Sequence, residues 1–113
     1  MYKIEAIIRP HRLEAVRDAL KEHDLIAVTV SDCRGAGRQS APTHTFRGSQ
    51  YSSGLEIRMR VEVFVNDAHL EEAVNAIQAA AMTGEVGDGK ILVFKAEQAV
   101  RIRTNERGES AIS

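Results

Sequence analysis

Within residues 83–90 the chain reads Thr83-Gly84-Glu85-Val86-Gly87-Asp88-Gly89-Lys90. Glycines let successive backbone N–H groups turn toward one point, making a concave nest for phosphate oxygens, and Lys90 adds a full positive charge. From Gly84 to Lys90 the run matches G-x-x-x-x-G-K, most of a P-loop. It departs from that pattern twice. Ile91 stands where a P-loop has its Mg²⁺-binding hydroxyl, and the loop leads from an alanine-rich helical stretch into an apolar strand, the reverse of a P-loop. Taken alone, the run reads equally well as a glycine-rich turn between helix and strand.

Two further features accompany it. Gly35-Ala36-Gly37-Arg38-Gln39 is a second glycine-rich turn, carrying a cation and an amide, and Arg101 and Arg103 share one side of a segment that reads as extended. Each is ordinary by itself. With Lys90 they offer two backbone nests and the cations Arg38, Lys90, Arg101 and Arg103, enough for a di- or triphosphate. The residues suggest no catalytic constellation. His11, His23, His44 and His69 fall in different elements with no two at metal-ligand spacing, which predicts surface roles. Cys33 has no evident base and reads as a small buried residue.

The elements that must position these groups come from a chain of 113 residues, enough for one domain spanning 1–113 that buries about two thirds of its unfolded surface. Hydrophobic residues make up 43% and aromatics 4%, so the core must be aliphatic. Fifteen basic residues nearly balance sixteen acidic ones, which argues against general binding to nucleic acid or a membrane surface. A single cysteine excludes an internal disulfide and suits a reducing compartment. Charges at Lys3, Glu5 and Arg9 interrupt the opening apolar run, and no stretch is long and apolar enough to span a bilayer, so a soluble, cytoplasmic domain is predicted.

Residues 2–9 alternate, with Tyr2, Ile4, Ala6 and Ile8 on one face of a half-buried strand. Pro10 ends it, and Leu13, Val16 and Leu20 then recur at helical spacing through about His23. Residues 25–33 alternate again, with Ile26, Val28 and Val30 on one face. Periodicity vanishes over 35–54, a loop far longer than usual connections and therefore a candidate for function. Over 55–65, Leu55, Ile57, Met59, Val61, Val63 and Val65 face one way. Asn66-Asp67 reads as the cap of a second helix with an apolar stripe at Leu70, Val74, Ile77 and Ala81, and 90–95 is a fourth strand. The order strand-helix-strand-strand-helix-strand, with right-handed crossovers, predicts an α+β ferredoxin-like sandwich with both helices on one sheet face. Parity places Ile7, Ala27 and Phe64 on the open face, which favours its being covered by copies of the same chain.

Over almost its entire length the sequence resembles the PII signal-transduction proteins. The carriers are residues 3–10 (Lys-Ile-Glu-Ala-Ile-Ile-Arg-Pro), Gly35-Ala36-Gly37-Arg38-Gln39, Phe46-Arg47-Gly48, Tyr51, the loop 83–90, and residues 101–108 (Arg-Ile-Arg-Thr-Asn-Glu-Arg-Gly). The resemblance implies a homotrimer whose sheets line the interior, with ATP or ADP in the clefts between subunits. The phosphates would meet Gly87, Gly89, Lys90 and Arg38 of one subunit and Arg101 and Arg103 of its neighbour, with Asp88 among the other nucleotide-binding positions. Thr29, Gly35, Gly37, Gln39 and Phe64 match positions lining the rest of that pocket. The loop 36–54 matches the family's effector loop, which docks on transporters and enzymes and carries a modifiable tyrosine, here Tyr51.

The departures lie in or beside that loop. Members that sense 2-oxoglutarate use a glutamine on Mg²⁺, matched by Gln39, and a lysine where this chain has Arg58. Ser40-Ala41-Pro42 replaces the usual Lys-Gly, and Gln50 an acidic residue. These departures are similar to what a PII-like paralogue regulating bicarbonate or metal-ion transport would show. A non-enzymatic nucleotide sensor is therefore expected, acting on a partner transporter or enzyme. An ATPase would lack the hydroxyl and any evident base, and single-stranded RNA binding would have few aromatics to stack on.

Overall fold

The computed structural model describes residues 1–36 and 55–113 in full, and residues 43–46 and 49–52 by their backbone alone. Strand β1 (Tyr2–Ile8) alternates as its sequence does: Ile4, Ala6 and Ile8 are buried, whereas Lys3, Glu5 and Ile7 point the other way. A 3-10 turn begun by Pro10 leads into helix α1 (Leu13–Glu22). Strand β2 (Val28–Gly35), the short strands β3 (Thr43–Phe46) and β4 (Ser49–Ser52), and strand β5 (Glu56–Val65) follow. Helix α2 (Leu70–Ala81) and strand β6 (Gly89–Lys95) complete the layers. The main sheet has the order β2-β5-β1-β6, all antiparallel neighbours, with Ile4 opposite both Val63 and Val93. This is the ferredoxin-like arrangement that the order of elements predicts.

The core lies between the sheet and the helices. Ile4, Ala6, Ile8, Val61, Val63 and Val65 meet Val16 and Leu20 of α1 and Ala73, Ile77 and Ala81 of α2. Burying one such aliphatic side chain stabilises the fold by about 1.5–3 kcal/mol. Alanines at 73 and 81 let α2 lie close on the strands.

Several expectations from the sequence need correction. The second strand starts at Val28 rather than Leu25, because residues 23–25 close α1 instead. Asp24 takes a left-handed φ of 59°, its N–H reaches Lys21 O at 3.0 Å, and Leu25 N–H reaches Leu20 O at 2.9 Å. That pair of bonds, with Leu25 packed back on the core, is a Schellman closure. Ile26 is then left exposed.

Asn66 and Asp67 make no side-chain cap on α2, since a 3-10 turn over Asp67–His69 intervenes. Asp67 instead takes the Met1 amino group at 2.6 Å, which holds its carboxyl below the usual range. Leu55 and Ile57 are half exposed rather than buried. Ile8 ends β1 opposite Met59, so β5 and β2 run beyond it as a two-stranded arm without β1 alongside.

The loop 36–54, expected to lack regular structure, contains the β3–β4 ladder, pairing Thr43 with Ser52 and Phe46 with Ser49. Thr43, Thr45, Phe46 and Tyr51 are residue types that suit paired strands. Val100 bridges Arg107 in antiparallel fashion, but the residues after it turn rather than extend. Asn105, at φ 61°, sends its N–H to Arg101 O at 2.8 Å, closing a turn that leaves Ile102 fully exposed.

No described element covers the second sheet face. Its charges pair within the chain: Lys3 with Glu62 at 3.4 Å, and Arg60 with Glu5 at 3.1 Å, the latter a close ion pair whose angle falls short of a hydrogen bond. The Lys3 ammonium also lies 5.1 Å from the Phe94 ring. Phe64, Leu92 and Phe94 remain about half exposed there.

Candidate functional site

The glycine loop is built around one carboxylate. Asp88 accepts the N–H groups of Thr83 (2.8 Å) and Gly84 (2.9 Å), the Thr83 hydroxyl, and Arg9 Nε at 3.0 Å. Arg9 also donates to Val86 O at 2.8 Å, and Arg12 donates twice to Ala80 O, at 2.9 and 2.6 Å. Arg9, just past β1, thus bolts the α2–β6 connection in place, and Arg12, in the 3-10 turn, ties down the last turn of α2. Asp88 is among the residues that the resemblance to the PII proteins assigns to nucleotide binding. Its Oδ1 already takes the Thr83 hydroxyl and Arg9 Nε, and its Oδ2 the N–H groups of Thr83 and Gly84.

The Thr83 hydroxyl, then the Thr83 N–H and Arg9, hold the Asp88 carboxyl far below the usual carboxylate range. Its folded-state value lies under its unfolded one, so this contribution is complete above about pH 4 and fades only as pH falls toward the folded value. The Thr83 and Gly84 amide resonances should therefore hold their neutral-pH positions well below pH 4. An NMR titration in which both shift with a midpoint near 4 would contradict the hub role. In Asp88→Asn both should already be displaced at neutral pH.

Gly84, Gly87 and Gly89 all have positive φ, at 88°, 103° and 102°. At Gly89 the close approach is absolute, since a Cβ would stand 1.7 Å from Ile7 O. Lys90 follows on β6, exposed and opposite Ile7 on the open face, with no ion pair among the described residues.

The sequence-predicted residues divide between the two ends of the sheet. At the Ile8 end lie Gly35, Arg58, Gly87, Asp88, Gly89 and Lys90. At the Tyr2 end lie Phe64, paired with Lys3, and Arg101, which follows the last strand; Thr29 is placed toward that end opposite Glu62. The length of β6 separates Lys90 from Arg101's end by about 20 Å, at roughly 3.3 Å per residue. Among the described residues, one chain does not bring Lys90 and Arg101 together. Gly37, Arg38 and Gln39 lie outside the described residues, as does the side chain of Tyr51.

Arg101 borders a cavity of about 810 Å³ at the Tyr2 end, walled also by Phe64, Asn66, Val100 and Ile112. Its guanidinium donates to Glu106 Oε1 at 3.2 Å, Ser110 O at 3.0 Å and Ser113 O at 2.6 Å. Arg103 is exposed. Arg58 is mostly buried, donating to Ile57 O at 2.9 Å and lying 3.8 Å from Glu56.

Sequence reasoning missed the Arg9–Asp88 hub, for which the five-residue spacing from Thr83 to Asp88 was the available signal. It also separated His23 from His69, yet both approach Glu72, at 3.7 and 2.9 Å. Among the described residues no group of three donors could hold a metal ion.

The family model for the nitrogen regulatory protein P-II matches residues 1–106. A nitrogen regulatory protein P-II of Rhodospirillum rubrum is 47% identical over 112 residues, covering 99% of this chain and 100% of that protein. One of Azospirillum brasilense is 46% identical with the same coverage.

The chain belongs to the P-II family.

Its fold agrees with that of a P-II protein from Arabidopsis thaliana solved bound to citrate, at a TM-score of 0.81 and 37% identity, covering 99% of this chain and 89% of that one. As a P-II protein it is a member of a family of nitrogen regulators. None of its described helices is long and apolar enough to cross a membrane.

Proposed function

We propose that this P-II protein is a cytoplasmic adenine-nucleotide sensor, working without catalysis, that binds ATP or ADP between the copies of a homotrimer. The carrying observation is the division of the candidate contacts between opposite ends of one sheet. A site that needs Lys90 and Arg101 together must take them from two chains, and a head-to-tail contact of this kind closes into a ring. The phosphates would meet the backbone at Gly87 and Gly89 with Lys90 and Arg38, and Arg101 and Arg103 from the neighbour. Thr29, Gly35, Gly37 and Phe64 would line the remainder. Gly35 supports this: its φ is ordinary and its Cβ position is open, so the chain itself has no need of glycine there. Mg²⁺, if carried in, would come with the nucleotide and Gln39.

The loop 36–54, with Tyr51, would then dock on a transporter or metabolic enzyme and report nucleotide occupancy. One observation favours an effector other than 2-oxoglutarate, in the manner of a regulator of bicarbonate or metal-ion transport. Arg58, which stands at the oxoacid-pairing position, is already engaged by Glu56 and Ile57 O. Calorimetry should show micromolar ATP and ADP binding, and 2-oxoglutarate added with ATP and Mg²⁺ should bind weakly. Absence of nucleotide binding sinks the sensor; tight nucleotide-dependent 2-oxoglutarate binding returns the chain to ordinary nitrogen sensing.

A further inference from the structure

The contacts of Arg101 carry a consequence for how the proposed site is regulated. A guanidinium can grip a phosphate with two parallel N–H groups along either of two edges, one formed by Nη1 and Nη2, the other by Nε and Nη2. Both edges need an Nη2 hydrogen. In this chain Nη2 gives one bond to Ser110 O (3.0 Å) and one to Ser113 O (2.6 Å), and Nη1 is turned to the Glu106 carboxylate (3.2 Å). Neither edge is free for a bidentate grip, and Glu106 places a negative charge beside the first of them.

The acceptors come from a short segment that has little else to hold it. A 3-10 turn at Gly108–Ala111 enters from Gly108, whose φ is 80°. Beyond Arg101, its ties are Gly108 N–H to Ala99 O at 3.0 Å, Ile112 N–H to Glu109 O at 3.3 Å, the local bonds of Ser110 and Ser113 hydroxyls, and the half-buried Ala111 and Ile112 against the cavity wall.

We propose that residues 108–113 are a latch that competes with nucleotide phosphate for Arg101. This rests on the nucleotide reading above for its ligand, though not for the tether itself. A nucleotide's phosphates present several charged oxygens on one group, so Arg101 leaves Ser110 O and Ser113 O as it takes hold of a nucleotide seated on a neighbouring chain. The latch is thereby released, and the segment that walls the cavity becomes free to signal occupancy. Linkage makes the coupling reciprocal: whatever loosens the latch tightens nucleotide binding.

The test is hydrogen exchange followed by mass spectrometry on the full chain, reading residues 108–113, with and without saturating ATP. Exchange there should speed up on ATP binding. In Arg101→Ala it should already be fast without nucleotide, a result that does not depend on the sensor reading. Ile112→Ser, which loosens the segment but leaves Arg101 intact, should bind ATP about fivefold more tightly or better. Exchange unchanged or slowed by bound ATP, or an Ile112→Ser variant that binds ATP no more tightly, overturns the latch while leaving the sensor standing. Protection unchanged in Arg101→Ala overturns the tether. A full chain that binds no ATP overturns the sensor, and the competition with it.

Discussion

Gly89→Ala is expected to lower the melting temperature by more than about 10 °C. The substitution meets two separate obstacles. A φ of 102° is strained for any residue with a Cβ, and that Cβ would stand 1.7 Å from Ile7 O and 2.8 Å from its carbonyl carbon. The backbone of β1 cannot yield like a flexible side chain, so β6 must part from it where Gly89 pairs with Ile8 and Lys90 with Ile7. Strain and overpacking of this kind each cost about 1–3 kcal/mol, so together they take about 3 kcal/mol or more. For a domain near this size each kcal/mol moves the midpoint by roughly 4–8 °C. Gly84→Ala is the control: its φ is also positive, at 88°, but no atom lies within 4 Å of the added carbon. It should cost only the backbone strain. Thermal unfolding that gives Gly89→Ala the same midpoint as Gly84→Ala would contradict the packing argument.

Lys90→Ala carries the largest expected effect on binding. Lys90 stands next to the positive-φ glycines Gly87 and Gly89, exposed, on the face that other copies of the chain would cover. A charged contact to phosphate contributes roughly 1.5–3 kcal/mol, so its loss should weaken ATP binding about tenfold or more, with the fold and its melting temperature unchanged. Arg101→Ala should match it in size, reduced by whatever the released latch returns. Titration calorimetry showing wild-type affinity in Lys90→Ala would remove the phosphate nest from the account.

Much of this was legible from residue order because the strands declare themselves by period two. Ile4, Ala6 and Ile8 in β1 and Val61, Val63 and Val65 in β5 fell on the face that alternation assigned them. The pattern misled where a strand outran its neighbours. Leu55 and Ile57 continue the alternation of β5, but no β1 residue lies beside them, and alternation does not reveal where a neighbouring strand stops. It misled again where local hydrogen bonds won over propensity. Leu25 and Ile26 read as strand, yet the Asp24 turn used the Leu25 N–H to close α1, and the Asn105 turn folded a seemingly extended arginine pair.

The candidate site was legible in its parts and not in its wiring. Glycines at 84, 87 and 89 signal positive φ, and each has it. That Asp88 would gather Thr83, Gly84 and Arg9 required knowing that the end of β1 lies under the loop, a contact between residues 79 positions apart. That Lys90 and Arg101 sit at opposite ends of one sheet follows from strand register, which sequence spacing does not contain.

Division of the site between chains is the central claim, and a mixing experiment tests it most directly. Lys90→Ala and Arg101→Ala chains, each deficient alone, are unfolded together in equal amounts, refolded and titrated with ATP. If each site joins Lys90 of one chain to Arg101 of the next, random assembly into closed rings restores about one site in four to wild-type affinity. If both residues act within one chain, no chain in the mixture carries an intact site, and the mixture binds no better than its two components.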